Sequence, residues 1–332
     1  MKKYLIISLA ALVAACACTK VEPNEVNEAI NFQVVNYASA TKAEPATLDA
    51  NTVFGVFAYY NTTLWATATA TTDNAYIPGV QVLHQTDGSW ATNKPYYWPK
   101  TGYLTCAGWS PYAQTATFDK AKGIMWTDWT ITPAPGATNK VDLMYTVTAD
   151  EEGQAVDLQG AKNNKYGHTG VPMLFHHALA KLNFKAEYDM TDLTDAQKAM
   201  FKIKVTNITL KALGNKASFA NSVWATPSAS ADQKVADASD ELTSTAATDA
   251  DYVENYFIIP QTPVSLVVNY TINGIACDAV TLALATEAIP DWVENHVYTY
   301  TLKISPISDD KITFDPSVAA WATAVTDTID VE

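Results

Sequence analysis

The chain contains no arginine, and all 21 of its basic residues are lysines. Its 35 acidic residues outnumber them and give a formal net charge of −14. A cluster of basic residues on one face is the electrostatic footprint of nucleic-acid binding, and this composition provides none. We therefore expect no nucleic-acid partner, although the scattered acidic residues do not identify any other one.

Cysteine is scarce as well. Of the four cysteines, Cys16 and Cys18 lie close to the amino terminus, whereas Cys106 and Cys277 lie far apart on apolar segments. We interpret the latter two as small buried hydrophobic residues. A disulfide between them is not expected, since it would have to join two different predicted domains.

Motifs for catalysis or metal binding are also lacking. His176 and His177 are neighbours on a predicted strand, so their side chains point to opposite faces and cannot bind one metal ion. We expect one of them to be buried with a hydrogen bond and the other to be exposed. Neither a Gly-x-Ser-x-Gly turn nor a glycine-rich phosphate loop occurs. The sequence therefore predicts no enzyme, no metal and no cofactor.

Long apolar runs are missing, except for a short one near the start. Residues 4–13 are apolar, follow two lysines and end at Val13-Ala14-Ala15-Cys16. This run is too short to span a bilayer, and it fits an export signal. A cysteine directly after small residues looks like a lipobox. We predict a signal peptide over residues 1–15 and a lipid on Cys16 that holds the precursor at the outer membrane, with Cys18 as a less fitting alternative.

The segment that follows combines one apolar strand with an exposed linker. Ile30, Phe32 and Val34 alternate with polar residues, which is the periodicity of a strand. Small and polar residues then surround Lys42, the only basic residue between positions 20 and 94. Such a linker is open to proteolysis. We predict cleavage between Lys42 and Ala43, so that residues 16–42 form a propeptide with a removable strand.

The rest of the chain has the pattern of an all-β protein. Many short alternating segments, separated by turn signals such as Asp87-Gly88, predict β-sandwiches. We place an amino-terminal domain at residues 43–174 and a carboxyl-terminal domain at residues 175–332. A short helix is predicted within residues 191–200, with Asp192 or Thr194 as its cap. Residues 226–251 are small and polar and predict a long exposed loop.

Several motifs in order resemble one family. They are the lipobox at Cys16, the early strand, the linker Thr41-Lys42-Ala43, Phe54-Gly55-Val56-Phe57-Ala58-Tyr59, Tyr96-Tyr97-Trp98-Pro99 ahead of Ala107-Gly108-Trp109-Ser110-Pro111-Tyr112, Phe175-His176-His177-Ala178-Leu179-Ala180-Lys181, and Asn295-His296-Val297-Tyr298-Thr299-Tyr300 before Trp321. Across its whole length the chain resembles the fimbrillin (FimA/Mfa-like) pilins of Bacteroidales, the subunits of the type V pilus.

The resemblance implies two tandem transthyretin-like (Greek-key) β-sandwiches. It also implies a structural subunit of a cell-surface fimbria that supports adhesion. Such a subunit is exported as a lipoprotein, loses its first strand by proteolysis and accepts a strand from another pilin subunit. In several members the protease cuts after arginine. Because Lys42 stands at that position here, the maturation protease stays open, and a trypsin-like enzyme that accepts lysine would suffice.

Two alternatives stay open. The tail over residues 322–332 is a candidate donor strand because Thr326, Thr328, Ile329 and Val331 lie in a partly alternating segment, but it is equally well an ordinary last strand. A second function is a lipid-anchored glycan-binding module with exposed tryptophans. Six of the nine tryptophans fall in one region, namely Trp65, Trp90, Trp98, Trp109, Trp126 and Trp129. The fimbrial interpretation expects these side chains to be buried.

Overall fold

A computed structural model of the chain describes residues 29–34, 52–61, 75–99, 103–119, 122–131, 141–146, 170–307 and 312–321. The described residues form one short helix, α1 (Asp195–Met200), and twenty strands. The strands of the amino-terminal part are β1 (Asn31–Val34), β2 (Phe54–Asn61), β3 (Ala75–His84), β4 (Trp90–Thr92), β5 (Tyr103–Ser110), β6 (Thr117–Asp119), β7 (Gly123–Thr130), β8 (Met144–Thr146), β9 (Val171–Met173) and β10 (Phe175–His177). The remaining strands are β11 (Ala180–Tyr188), β12 (Ile203–Ala220), β13 (Val223–Trp224), β14 (Ala229–Ala236), β15 (Thr248–Ile258), β16 (Ser265–Ile272), β17 (Ile275–Ala276), β18 (Val280–Ala283), β19 (His296–Ile304) and β20 (Ile312–Ala320).

The amino-terminal sheet curls back on itself. Its eight strands follow the order β10-β8-β5-β2-β3-β4-β1-β9, so that β9 and β10 lie at opposite ends. Only Leu174 separates these two strands along the chain. Residues two positions apart are at most about 7 Å from each other, whereas the outer strands of a flat eight-stranded sheet are about 34 Å apart. The two ends of the sheet must therefore lie side by side.

The carboxyl-terminal part is a β-sandwich. One layer is a four-stranded sheet of order β15-β11-β19-β20, in which β11 and β19 run parallel and the other pairs are antiparallel. Every second residue of β11, from Ala180 to Tyr188, is buried. These side chains pack with inward residues of β12 and β16 in the opposite layer, including Val205 and Val268. The alternation read from the sequence therefore corresponds to one core-facing side of the strand.

The second layer of this sandwich contains strands from both parts of the chain. Its order is β17-β16-β12-β7-β6, and β13, β14 and β18 pair with β12 or β16. The long strand β12 continues past the sandwich and pairs with β7, where Ala217 lies opposite Trp129. We call this layer the shared sheet. Since β10 also pairs within the amino-terminal sheet, strand pairing crosses residue 174 in both directions, and the domain boundary at that residue stays a prediction.

A separate apolar cluster joins the two parts. Trp109, Phe118 and Trp126 from the amino-terminal part are buried together with Phe219 and Trp321 from the carboxyl-terminal part. We call this cluster the junction core. A third cluster lies inside the amino-terminal sheet and includes the side chains of β1. No helix among the described residues is long and apolar enough to cross a membrane.

The local predictions for the helix and the first hairpin are confirmed. Helix α1 begins after Thr194, whose hydroxyl accepts a hydrogen bond from the Gln197 amide while the Gln197 side chain accepts one from the Thr194 amide. This reciprocal pair is a capping box, which satisfies amides that the first turn leaves free. Asp87-Gly88 connects β3 with β4, and Gly88 has φ +88°, as a tight turn requires.

The prediction of an exposed loop over residues 226–251 is wrong. This segment contains β14, which pairs with β12 despite three register shifts, and the start of β15. Only Gln233 and Val235 of β14 are buried, so the strand is held by its backbone and by polar contacts. For example, the Ala212 amide donates a hydrogen bond to Asp232 at 2.9 Å. A strand that buries so little apolar surface has no hydrophobic signature in the sequence.

Candidate functional site

The strand β1 lies between two other strands. On one side it is antiparallel to β4, with Phe32 opposite Trp90, and on the other side it is parallel to β9, with Phe32 opposite Val171. The Ile30 amide, just before the strand, donates a hydrogen bond to the Tyr96 carbonyl at 2.7 Å. We call the space between β4 and β9 the first-strand groove. Without β1, this groove would expose unpaired backbone groups of both neighbouring strands.

The apolar side chains of β1 and of Ile30 just before it fill the interior of the amino-terminal sheet. Ile30 is 2% exposed and Phe32 is 1% exposed, while Val34 is half-buried against the same core. The Phe32 ring meets the Phe54 ring edge to face, with centroids 6.2 Å apart. Full burial of one large apolar side chain contributes about 1.5–3 kcal/mol. Burial of Ile30 and Phe32 therefore stabilises β1 in the groove through non-covalent contacts.

Gly170 allows the backbone before β9 to approach β1 closely. It adopts φ +105°, a conformation that other residues rarely take. A β-carbon at this position would lie 2.9 Å from the carbonyl carbon of Phe32 and 3.1 Å from that of Asn31. The nearest atoms all belong to the backbone of β1. The contact therefore depends on both a glycine at position 170 and a strand in the groove.

The strand β9 depends on β1 for its pairing. Among the described residues, β1 is the only strand with which β9 pairs. Val171 and Met173 are both buried, and the Met173 methyl group lies against Gly108. Beyond Leu174 the chain continues as β10, which is held by its own antiparallel pairing with β8. The two walls of the groove thus differ, since β4 is also paired with β3.

Most residues with a predicted role in processing and assembly lie outside the part of the chain that the structure describes. Ile30, Phe32 and Val34 of the predicted removable strand lie in the groove. The predicted lipid site Cys16, the cleavage site Lys42–Ala43 and the candidate donor residues Thr326, Thr328, Ile329 and Val331 all fall outside the described residues. Removal of the strand and the role of the tail stay predictions.

Sequence reasoning did not find the walls of the groove. Trp90 and Val171 are distant from β1 along the chain, and nothing in the local pattern pairs them with Phe32. Gly170, directly ahead of an apolar strand, was the one available signal, because such a glycine often marks a close approach of two backbones. The strand β1 itself was detectable because its alternation is strong.

The end of the last described strand is fixed in the junction core. Trp321 is 4% exposed, and its amide donates a hydrogen bond to the Asn295 carbonyl at 3.1 Å. Its indole stacks on Phe257, with ring centroids 5.1 Å apart, and the Lys181 ammonium lies 4.5 Å from the indole centroid. Burial lowers the pKa of Lys181, and the nearby carboxylate of Asp142 opposes that shift. The predicted tail therefore starts from a firmly held residue.

The described tryptophans do not form an exposed platform. Trp65 lies outside the described residues; Trp90, Trp109 and Trp126 are buried, and Trp98 and Trp129 are half-buried. The indole N–H groups of Trp126 and Trp129 both donate to Gln114, at 3.0 Å each. Buried, hydrogen-bonded indoles fill a core and cannot stack on a sugar ring. This arrangement gives the glycan-binding alternative no support.

His176, His177, Cys106 and Cys277 do not form a metal site in the described part of the chain. His177 is buried as expected, with Nδ1 2.9 Å from Asp142 Oδ1. The expectation that His176 is exposed is wrong, because it packs half-buried near the Tyr145 ring. Cys106 is buried as expected, and burial raises its pKa to about 12. The expectation is wrong for Cys277, which is half-buried, and the two cysteines are not bonded to each other. No group of three or more histidine, cysteine or acidic side chains in the described ranges could hold a metal ion.

A comparison with protein-family models shows the family of this chain. Residues 41–321 match the model of the fimbrillin-like family. The chain belongs to the fimbrillin-like family. The match begins just before the predicted cleavage site and ends at Trp321, the last residue that the structure describes. No curated protein matches this fimbrillin-like chain.

Solved structures share the fold of this fimbrillin-like chain. A fimbrial protein from Bacteroides vulgatus superimposes with a TM-score of 0.61 and 22% identity, over 89% of this chain and 100% of the other. A cell adhesion candidate from Bacteroides uniformis gives 0.53 and 17%, over 89% and 98%. One from Bacteroides ovatus gives 0.50 and 18%, over 90% and 99%. At these identities the likeness concerns the fold alone.

Proposed function

We propose that this chain is a structural subunit of a cell-surface fimbria that assembles by exchange of its first strand. The fimbrillin-like family supports a fimbrial role. The groove supports the exchange, because β1 is a separate short strand, and the buried side chains of Phe32 and of Ile30 just before it complete the core of the amino-terminal sheet. In this mechanism, loss of β1 creates an apolar groove with unpaired edges, and another subunit supplies the replacement.

The observation that carries the proposal is the position of β1. It ends at Val34, and the next described strand starts at Phe54, so the linker with Lys42 separates it from the rest of the sheet along the chain. Before cleavage the linker keeps the effective concentration of β1 high, and the strand blocks its own groove. Cleavage after Lys42 turns this strand into a separate peptide that can dissociate.

In our proposal the precursor of this subunit is exported as a lipoprotein. Cys16 carries the lipid in the precursor and attaches it to the outer membrane, and cleavage after Lys42 then releases the subunit from its anchor. The protease accepts lysine, since no arginine is present in the chain. Mass spectrometry of membrane-extracted precursor tests this step, and a lipid found on Cys18 alone would contradict the assignment.

The donor in our proposal is the tail of another copy. Ile329 and Val331 are two positions apart, as are Ile30 and Phe32, so they can reach the same pockets from a strand in the groove. Trp321 holds the start of this tail at the junction core. The partners are accordingly other pilin subunits, and the chain acts as a structural protein rather than an enzyme. Labelling of surface fibres along their length or only at their ends would separate a shaft from a tip subunit.

Limited trypsin digestion of the full chain tests the mechanism. We expect an early cut after Lys42, a resistant product that begins at Ala43, and slow growth of oligomers measured by size-exclusion chromatography. Lys42→Ala should stay monomeric under the same digestion. Lys94→Ala is the matched control, because this exposed lysine lies outside the linker and its loss should leave assembly unchanged. Assembly of Lys42→Ala at the wild-type rate would refute strand exchange.

A further inference from the structure

The position of β1 raises a physical question about its exit. An edge strand can peel away from a sheet, but β1 is paired on both sides and its apolar side chains point into the core. It can leave only if one of the two neighbouring ladders opens. The antiparallel wall, β4, is unsuited to this because it forms a hairpin with β3 through residues Val82 to His84.

The other wall is built to open. The strand β9 has three residues, and the middle one, Pro172, has no amide hydrogen and cannot donate to a ladder. Its backbone pairing within the described chain is to β1 alone. Gly170 precedes it with φ +105°, and its closest neighbours are backbone atoms of β1. Once β1 is gone, β9 keeps no backbone pairing with any described strand, and only the packing of Val171 and Met173 holds it.

We propose that β9 is a conditional wall of the first-strand groove, which opens when β1 leaves and closes again on the strand that replaces it. The proposal rests on the proposed removal of β1 and adds a regulated element to that site. The replacement is a strand from a second copy of this chain, with apolar side chains at two alternate positions. Stable binding of the replacement strand and closure of β9 are then coupled.

The opening is confined to a short segment. Beyond Leu174, Phe175 is buried against Phe54, with ring centroids 5.3 Å apart, and β10 pairs with β8 over three residues. The Thr146 hydroxyl of β8 also accepts a hydrogen bond from the Gly108 amide at 2.7 Å. These contacts do not involve β1. Residues 170–173 can therefore swing out while the rest of the amino-terminal sheet keeps its pairing.

The consequence for assembly is a binding site that folds around its ligand. An empty groove presents one formed edge, that of β4, rather than two. The incoming strand first pairs with β4, and β9 then covers its second edge. A strand that cannot fill the Ile30 and Phe32 positions would leave Val171 and Met173 without the apolar contacts that they make on the side of the groove, so β9 would stay open. Closure of β9 thus makes binding selective for strands with apolar side chains at these two positions.

Hydrogen exchange of the uncleaved full chain tests this coupling. We expect the amides of Phe32 in β1 and Val171 in β9 to show the same protection, because one opening exposes both. In Ile30→Ala, both protections should fall by the same factor, at least about tenfold. The amides of β8 and β10 should keep theirs. If Val171 stays protected while Phe32 loses protection, β9 is held independently and the proposal is wrong.

A second variant tests closure by an added strand. In the full chain, Phe32→Asp should unseat β1 and leave Val171 and Met173 unprotected. A synthetic peptide with the sequence of residues 27–37 should restore their protection, and the same peptide with aspartate at position 32 should not. Equal restoration by both peptides would overturn the proposal. Because no cleavage or polymer is involved, failure here leaves the Lys42 test of the proposed function unaffected.

Discussion

The imidazole ring of His177 lies flat on the indole of Trp321, with ring centroids 3.7 Å apart and planes inclined by 6°. His177 is the last residue of β10, and Trp321 directly follows β20. The contact joins the end of the amino-terminal sheet to the end of the last described strand. Asp142 Oδ1 lies 2.9 Å from His177 Nδ1 and holds the imidazole in this orientation.

We expect Trp321→Ala to destabilise the protein more than any nearby surface change. The indole is buried between His177, Phe257 and Lys181, so its loss leaves a large cavity. Truncation of a buried aromatic residue costs about 3–5 kcal/mol in free energy of unfolding. Val318→Ala is the control, because Val318 is 45% exposed on β20, the strand that ends just before Trp321. Chemical denaturation of both variants measures the difference, and equal midpoints would contradict the stabilising role of Trp321.

Two buried tyrosines should respond oppositely to loss of their hydroxyl groups. The Tyr256 hydroxyl is buried without a hydrogen-bond partner among the described residues, whereas the Tyr300 hydroxyl accepts a hydrogen bond from the Trp292 indole at 2.8 Å. An unsatisfied buried polar group costs about 1–3 kcal/mol. We therefore expect Tyr256→Phe to stabilise the fold and Tyr300→Phe to destabilise it. Thermal unfolding of the two variants, which remove the same atom, checks the contrast.

The same two tyrosines predict loss of stability in alkali. Burial raises the pKa of both Tyr256 and Tyr300 to about 12. In the unfolded chain these groups ionise near pH 10. The stability that the neutral hydroxyl groups contribute to the folded state is therefore complete below pH 10. It declines as the pH rises towards 12, because the unfolded state releases these protons at a lower pH than the folded state does. Denaturant titrations between pH 8 and 11 should show this decline, and it should be smaller in Tyr256→Phe.

Sequence patterns identified the inward-facing strands better than any other feature. In β11, Leu182 and Phe184 alternate with polar residues, and both are fully buried. In β12 the apolar alternation slips near Asn207, and the pairing of β12 with β16 shifts register between Val205 and Asn207. These features are local, because one buried face imposes a period of two on the chain.

What the sequence did not reveal depends on contacts between distant segments. The pairing of β7 with β12 joins Trp129 to Ala217 across 88 positions, and neither residue has a local signature of that partner. For the same reason the local pattern does not separate β9 from β10 and β11, and residues 172–184 resemble one extended run. Its separation at Leu174 follows from closure of the sheet, which no local periodicity encodes.

The shared sheet predicts that the two parts of the chain unfold together. Ala217 is 2% exposed where β12 meets β7, so aspartate at this position would place a charge inside the junction core. A buried charge without a partner is strongly unfavourable. We expect one calorimetric transition for the wild type and two separate transitions for Ala217→Asp. Ala231→Asp, on the exposed part of β14, should retain a single transition. Two transitions in the wild type would mean that the parts are independent.

The last prediction concerns the retention of β1 in the uncut chain. Phe32 and Gln33 are adjacent in the same strand, but only Phe32 points into the core, where its ring contacts Phe54.

Phe32→Ala should lower the free energy of unfolding by about 3–5 kcal/mol, since it empties a buried aromatic site. Gln33→Ala should change it by less than about 0.5 kcal/mol, because the side chain lies on the other face. Both variants keep the backbone pairing with β4 and β9, so the contrast isolates the side chain. Urea denaturation of the uncut precursors measures it. Similar losses in the two variants would mean that backbone pairing alone retains β1, and that an incoming strand needs no matching apolar residues.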